Sequence, residues 1–349
     1  MSYTIFPLAD EKDKEEFLSF WNEFHEEDFN EEYEWIGDNP AGQAVASLLK
    51  EDETKNCVGC SVVYPRRFSV NGVNLRAGVA RDFFVHEKHR VLGPALKLIK
   101  RLISIVQENE IDFIYALPNK NAETVMRKAG FEYLGPYMRM VKIIRTSAQL
   151  ERAHLPKYLN KLLSPLLDGF LRLLAFETWH RFKGRFRCEE VSCPDERFDR
   201  LWMKSRARFA VLGERTSEFL EWKYLGTPNA EHKIFAIFNS DKTELKGYMI
   251  YCMDGNSIDV RDFILPEDQK AIRVLVTHFL RHVRKASPNS VVIQFLENRE
   301  IAGLFKSFGF LKAKCDRAIY YCCNKDVLKK FPVLSDPGSW VILSGEVHY

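Results

Sequence analysis

The sequence is poor in the features that mark the special classes of protein. It has no apolar run long enough to cross a bilayer. Its most apolar segment, Leu162 to Phe176 (LLSPLLDGFLRLLAF), is interrupted by Asp168 and Arg172 and falls short of the ~20 residues that a spanning helix needs. The first residues, MSYTIFPLADEKDKEE, lack the basic stretch followed by an apolar one that marks an export signal. A cytoplasmic location is therefore expected, and the eight cysteines read as reduced thiols. Cys57 and Cys60 have zinc-ligand spacing without a second pair. They lie in a strand-like stretch, where positions three apart point to opposite faces; Cys322 and Cys323 alternate in the same way. No metal is expected. There is also no excess of one charge: a net +3 is too small for the whole-chain field to favour nucleic acid. A Gly-x-Ser-x-Gly elbow, a Walker loop and a Rossmann fingerprint are all missing.

What remains is an ordinary globular composition, 46% hydrophobic and 28% charged, which argues against disorder. The length of 349 residues leaves room for two domains. Charge is unevenly placed. Residues 10–34 are acidic (Asp10, Glu11, Glu15, Glu16, Glu26, Glu27, Asp28, Glu31, Glu32), and the middle is basic, with Arg181, Lys183, Arg185, Arg187, Arg197, Arg200, Lys204, Arg206 and Arg208.

The halves resemble each other. VARDFFV (Val79 to Val85) matches DVRDFIL (Asp259 to Leu265), and NAETVMRKAGF (Asn121 to Phe131) matches REIAGLFKSFGF (Arg299 to Phe310). Upstream, YEWIGDNPAG (Tyr33 to Gly42) matches LEWKYLGTPNA (Leu220 to Ala230), and Gly59 and Gly247 each open an apolar run. Four landmarks in one order, at similar gaps, mark two copies of one fold. The expected division is 1–146, a helical linker at 147–186, a second copy at 187–325, and a C-terminal tail at 326–349.

Within copy one, Phe17, Phe20, Trp21 and Phe24 recur at helical spacing. Leu98, Ile99, Leu102, Ile103 and Val106 share the face of a later helix. Ile111 to Leu117 reads as a buried strand. A short helix with Ala122, Val125, Met126 and Ala129 on one face stops at Gly130, and a hairpin-like pair of strands ends near Ile144. In the linker, Tyr158, Leu162, Leu166, Phe170, Leu173 and Trp179 form an apolar stripe, with Pro165 and Gly169 expected to break it into two helices. Packing of this stripe against the domains is the first reading. The alternative is a helix lying on a membrane surface through residues 155–183, because basic residues flank the stripe.

Between the strand RDFFV and the next helix lies RVLGPA, Arg90 to Ala95. At a helix start, unpaired backbone N–H groups and the positive end of the helix dipole favour a pyrophosphate. Gly93 lets the chain approach the phosphate without a β-carbon in the way, Ala95 keeps the next turn small, and Arg90 adds charge. Pro94 removes one donor but suits a first turn.

On Arg90-x-x-Gly93-x-Ala95 after a strand, and on the segment Asn121 to Phe131, the sequence resembles the GNAT superfamily of acyl-CoA-dependent N-acyltransferases. The resemblance covers about residues 1–146 and, more weakly, 187–325. It implies an α+β fold of two tandem GNAT-like domains, each a mixed, mostly antiparallel sheet flanked by helices. In each, strands four and five splay apart to admit the pantetheine arm. It further implies that acetyl-CoA or another acyl-CoA is held by backbone at Phe84 and Val85. The amides of Val91, Leu92, Gly93 and Ala95 take the pyrophosphate, with Arg90 and Asn121 alongside.

Two departures stand out. Many family members have a tyrosine four residues before the Gly-Phe pair, the general acid for the departing thiolate; here that position is Met126. Either another group, such as Tyr115, Tyr133 or Tyr137, takes the role, or the thiolate leaves without a dedicated acid. In copy two, aligning Leu265 with Val85 sets Arg273 opposite Gly93 and Leu275 opposite Ala95, so no acyl-CoA is expected there. Asp82 and His86 are expected to alternate on one face of strand four, as candidate base and partner, with Tyr137 the chosen acid. Asp262 repeats Asp82 in the copy without the loop, which favours a structural role for the RDF triplet. Glu34, Trp35 and Asn39 lie where acceptor-side helices end, as packing or capping residues or as acceptor contacts. The expected activity is transfer of an acyl group, in the first place acetyl, to a small-molecule amine by direct attack. The alternatives are a Fem-type aminoacyl-tRNA-dependent ligase and a non-catalytic acyl-CoA-binding protein. The acceptor and the oligomeric state are not legible.

Overall fold

The computed structural model describes residues 2–8, 11–25, 29–90, 92–154, 156–180, 182, 184–228 and 230–347. Its fourteen strands among these residues join one sheet. The first half supplies β1 (Tyr3–Pro7), β2 (Val45–Glu51), β3 (Cys57–Val70), β4 (Val73–Val85), β5 (Phe113–Ala116) and β6 (Glu132–Ile143). The second supplies β7 (Phe186–Val191), β8 (Val211–Gly213), β9 (His232–Asn239), β10 (Leu245–Asp254), β11 (Ser257–Ile264), β12 (Ser290–Leu296), β13 (Leu311–Cys322) and the short β14 (Trp340–Val341). The strand order is β1-β2-β3-β4-β5-β13-β6-β12-β11-β10-β9-β7, with β8 bridging β3 and β14. Only β4/β5, β11/β12 and β8/β14 run parallel.

Helices α1 (Glu11–His25) and α2 (Asn30–Gly37) cover one face of the first half, and α3 (Leu92–Glu108) and α4 (Lys120–Lys128) cover the other. The linker forms α5 (Ser147–Arg152), α6 (Lys157–Leu174) and α7 (Phe176–Trp179). Copy two repeats the plan with α8 (Glu196–Arg208), α9 (Ser217–Leu220), α10 (Gln269–Val283) and α11 (Arg299–Ser307). Two short helices, α12 (Lys325–Lys330) and α13 (Ser344–Val347), follow.

The order reveals an exchange. The stretch expected as a hairpin ending near Ile144 is one long strand, β6, and its neighbours are β12 and β13 of the other copy. In return β13 sits against β5. Each copy thus closes the sheet of the other, and β6 and β13 pair along the centre of the molecule.

The repeat landmarks meet in space. Trp35 and Trp222 stack with ring centroids 5.1 Å apart, and each indole N–H donates to the other's backbone carbonyl, at 2.8 and 2.9 Å. The two glycines have one physical cause. A Cβ on Gly59 would come within 2.8 Å of the Phe84 carbonyl, and one on Gly247 within 2.5 Å of the matching Ile264 carbonyl. Any side chain there would push β3 from β4, or β10 from β11.

The segment 326–349 was expected as a tail, but its described part enters the interior: Trp340, Leu343 and Glu346 are buried. Glu346 pairs with Arg66 of β3 at 2.7 Å and with Arg215 at 2.9 Å. Arg215 in turn pairs with Asp262 of β11 at 3.0 Å. Tyr224 donates to the other oxygen of Asp262 at 3.1 Å, and Tyr115 donates to the Glu346 backbone carbonyl at 2.9 Å. Burial holds the Asp262 carboxyl above its ordinary range despite Arg215. Residues of both copies therefore converge on one carboxylate near the end of the chain.

Two linker expectations change. Pro165 does not break the helix; α6 runs unbroken through it to Leu174. The apolar stripe is not packed away either. Tyr158, Leu162, Leu166, Phe170, Leu173, Leu174 and Trp179 are all more than half exposed.

Candidate active site

β4 pairs with β5 only where Ala77, Gly78 and Val79 face Phe113, Ile114 and Tyr115. Beyond Val79, β4 runs six further residues while β5 ends at Ala116, so a slot opens between them. Copy two repeats this: β11 leaves β12 after Val260 and Ile293.

At the mouth of the slot β4 is irregular. Its register against β3 jumps between Val62↔Arg81 and Cys60↔Phe84, so Ser61 faces both Asp82 and Phe83. Asp82 has φ +53°, in the left-handed region where aspartate is tolerated better than most residues. Such a bulge re-aims side chains. Asp82 accepts a hydrogen bond from the Tyr64 hydroxyl, and Arg81 Nε lies 3.6 Å from its carboxylate. Burial, and then the neighbouring Asp82, push the Tyr64 hydroxyl well above its ordinary pKa. A matching register jump leaves Arg261 of β11 unopposed beside Asp262.

This bulge removes the expected alternation of Asp82 with His86. β4 ends at Val85, and His86 instead caps the short 3-10 turn Glu87–His89, accepting from the Lys88 N–H. Its own N–H donates to the Val58 carbonyl at 2.8 Å.

Among the expected cofactor contacts, Val91 lies outside the described residues. Leu92 opens α3. Gly93 is exposed, with nothing within 4 Å of where a Cβ would stand. Ala95 is buried beneath the same turn with Leu98, Val58 and Val85. The Phe84 ring packs on Phe20, centroids 5.6 Å apart. Arg90, though exposed, folds back on the strand end: its Nε donates to the Val85 carbonyl at 2.8 Å and its Nη1 to Glu87 at 3.2 Å. The backbone acceptor expected to meet pantetheine is thus taken by Arg90. Asn121 is exposed, its N–H given to the side chain of Asn119, which caps α4.

In copy two the helix start is different in kind. α10 begins at Gln269, and the Asp268 carboxylate accepts from the Lys270 N–H. An anion already sits where a phosphate would. Counted from the helix starts, the counterpart of Gly93 is Lys270 and not Arg273, which correction also leaves copy two without the glycine.

The tyrosines separate clearly. Tyr115 is buried and tied to Glu346, as above. Tyr133 is exposed, with the Arg317 guanidinium 5.8 Å from its ring centre. Tyr137, in β6, is 3% exposed, and its hydroxyl has no protein partner. Burial, with Asp259 beside it, holds its pKa well above the ordinary value, so it keeps its proton. Tyr137 and Gln294 line a cleft of about 860 Å³ that reaches the β5–α4 turn at Leu117–Asn119. Met126 is buried in the core under α3. Trp35 is the partner of Trp222. Asn39 is buried and donates to the Pro65 carbonyl at 3.0 Å, while Glu34 is exposed.

Tyr64 was not singled out in the sequence, yet it holds Asp82 and lines a cavity of about 380 Å³ with Lys14, Phe17, Phe29, Tyr33 and Gln43. Its signal was its place in the strand opposite RDF. Pairing register, which that inference needs, is not written in composition.

Residues 9–131 match the family described as Acetyltransferase (GNAT) family. The match lies within the first half of the chain, which therefore carries a GNAT-type acetyltransferase domain. The whole is a tandem GNAT fold. A GCN5-related N-acetyltransferase from Anabaena variabilis matches with TM-score 0.66 at 14% identity, over 93% of this chain and 74% of that one. N-myristoyltransferase of Saccharomyces cerevisiae with bound myristoyl-CoA matches with TM-score 0.59 at 13% identity, over 92% and 82%. A tandem GNAT protein from the clavulanic acid biosynthesis pathway matches with TM-score 0.59 at 10% identity, over 93% and 99%. At such identities the likeness is one of fold. No curated protein matches the sequence.

Proposed function

We propose that the chain transfers an acyl group, in the first place acetyl, from acyl-CoA to the amine of a small molecule by direct attack. The observation that carries this reading is the slot between β4 and β5, beside a helix whose second residue is an uncrowded glycine. In this reading the amides of Val91, Leu92, Gly93 and Ala95 hold the pyrophosphate. Arg90 swings from the Val85 carbonyl to the phosphates, which frees that carbonyl for the pantetheine arm. Phe84 and Asn121 complete the cofactor contacts.

An attacking amine must lose a proton, and the departing thiolate must gain one. Asp82, aimed by its bulge and held by Tyr64, is our candidate base, with His86 in the turn just past that strand. Tyr137, protonated at neutral pH and without a partner, is our candidate acid in place of Met126. Copy two, with Asp268 at its helix start, shapes the acceptor side and binds no acyl-CoA.

Acetyl-CoA is expected to raise the melting temperature. A ligand at a hundredfold excess over its Kd contributes about 2.7 kcal/mol of stability. Gly93→Asp should abolish the shift by setting a carboxylate among the phosphates. No shift with any acyl-CoA in the unaltered protein would end this reading. Asp82→Asn should lower turnover about a hundredfold or more, as loss of a general base does, while the acetyl-CoA shift remains. Unchanged turnover would make Asp82 a structural residue.

A further inference from the structure

Helix α6 is amphipathic in the reverse of the usual sense. Its inward side is polar. Asn160 and Ser164 are buried there; the Asn160 amide donates to the Ser147 carbonyl at 3.2 Å, and Ser164 donates to Asn160 at 2.5 Å. One turn on, Asp168 accepts from both the backbone N–H and the hydroxyl of Thr146, at 2.7 and 2.8 Å. These bonds fix the rotation of the helix, and they turn its apolar side to solvent. Tyr158 is 73% exposed, Leu162 66%, Leu166 68%, Phe170 59% and Leu173 57%. At 100° per residue these five fall within about 120° of the helix surface. Lys157, Lys161 and Arg172 fall within about 60° along one edge of that stripe, and all three are exposed. Just beyond, the Trp179 indole is 66% exposed.

We infer that α6 and Trp179 form a docking surface for an anionic phospholipid bilayer, on which the helix lies in the plane of the headgroups. Soluble proteins rarely leave so contiguous an apolar strip uncovered. An apolar side with basic residues along its edge, and aromatic residues near its ends, is what the interface between acyl chains and anionic headgroups accepts. The helix cannot cross: no helix among the described residues is long and apolar enough to span a membrane. A second copy of the chain is the poorer occupant, for a charge reason. Apart from Asp168, which is held by Thr146, α6 carries no acidic residue. Two stripes face to face would bring Lys157, Lys161 and Arg172 of both copies together with nothing on the helix to neutralise them. The inference does not depend on the acyl-transfer reading.

The test is co-sedimentation of the full chain with vesicles of phosphatidylcholine alone or with 30% phosphatidylglycerol. The chain should pellet with the anionic vesicles at least tenfold better than with the neutral ones, and added salt should weaken this binding. Tryptophan emission should shift to the blue on binding, and W179F should remove the shift. L166E/F170E, which changes only exposed side chains, should reduce binding at least tenfold without altering the melting temperature. K157E/K161E/R172E should erase the preference for anionic vesicles. Absence of pelleting, or equal pelleting of L166E/F170E, would overturn the inference. So would a dimer in light scattering that L166E/F170E dissolves while vesicles stay unbound.

Discussion

At the scale of single residues the interior is crowded with ionisable groups, and one of them makes stability depend on pH in a predictable direction. His232 lies at the start of β9, its Nδ1 2.9 Å from the Tyr224 carbonyl. Burial, reinforced by the charge of Arg261, lowers its pKa from 6.5 to about 4. The folded state therefore favours the neutral ring. Its contribution is fully present above pH 6.5 and is lost as pH falls toward 4. A lowering of that size corresponds to about 3 kcal/mol. His232→Gln, neutral throughout, should flatten the urea-derived stability between pH 6.5 and 4 by up to that amount. An unchanged slope would mean that the ring is solvated when charged. Asp82 shows the limit of reading residues from a string. Its type and its repeat in Asp262 were visible, but the left-handed backbone that aims it was not. Strict alternation along a strand is the right expectation until a bulge breaks it.

At the scale of elements, periodicity told the truth about composition and little about partners. The faces of α3 and α4 read from the sequence are the faces that pack, because an apolar stripe on a helix between strands has a sheet to cover. The same logic failed for α6, whose stripe has nothing beneath it. The sequence there encodes the polar anchors Asn160, Ser164 and Asp168 as well, and only their contacts reveal which side faces in. Pro165 was expected to end the helix. It is exposed, so the carbonyl it leaves without a donor can be met by water, and anchors on both sides hold the axis. β6 marks a deeper limit. Residues 132–143 read as strand, but the pattern of one strand does not name its neighbour. A hairpin within copy one and a pairing with copy two look alike in sequence.

At the scale of the molecule, the exchange of β6 and β13 makes the two copies one structural unit. The sheet of the first half has a gap between β5 and β6 that only Leu311–Cys322 fills. Fragments 1–146 and 147–349, produced separately, should each lack a cooperative thermal transition. Produced together, they should assemble and recover one. A cooperative transition in 1–146 alone, near that of the whole chain, would contradict this. Glu346 adds a second bond between the halves, since its two arginine partners precede and follow the linker.

The same exchange sets a clock on synthesis. When β6 has left the ribosome, neither of the strands that must flank it has been made, and the second of them ends at Cys322, 179 residues after Ile143. At ordinary rates of translation that is roughly 10–40 s. Until β13 is made, the edges of β5 and β6 that it joins stay unpaired, an invitation to pair with the wrong chain. Nascent chains stalled before residue 311 should therefore engage chaperones and yield to protease, and those stalled well beyond Tyr349 should not.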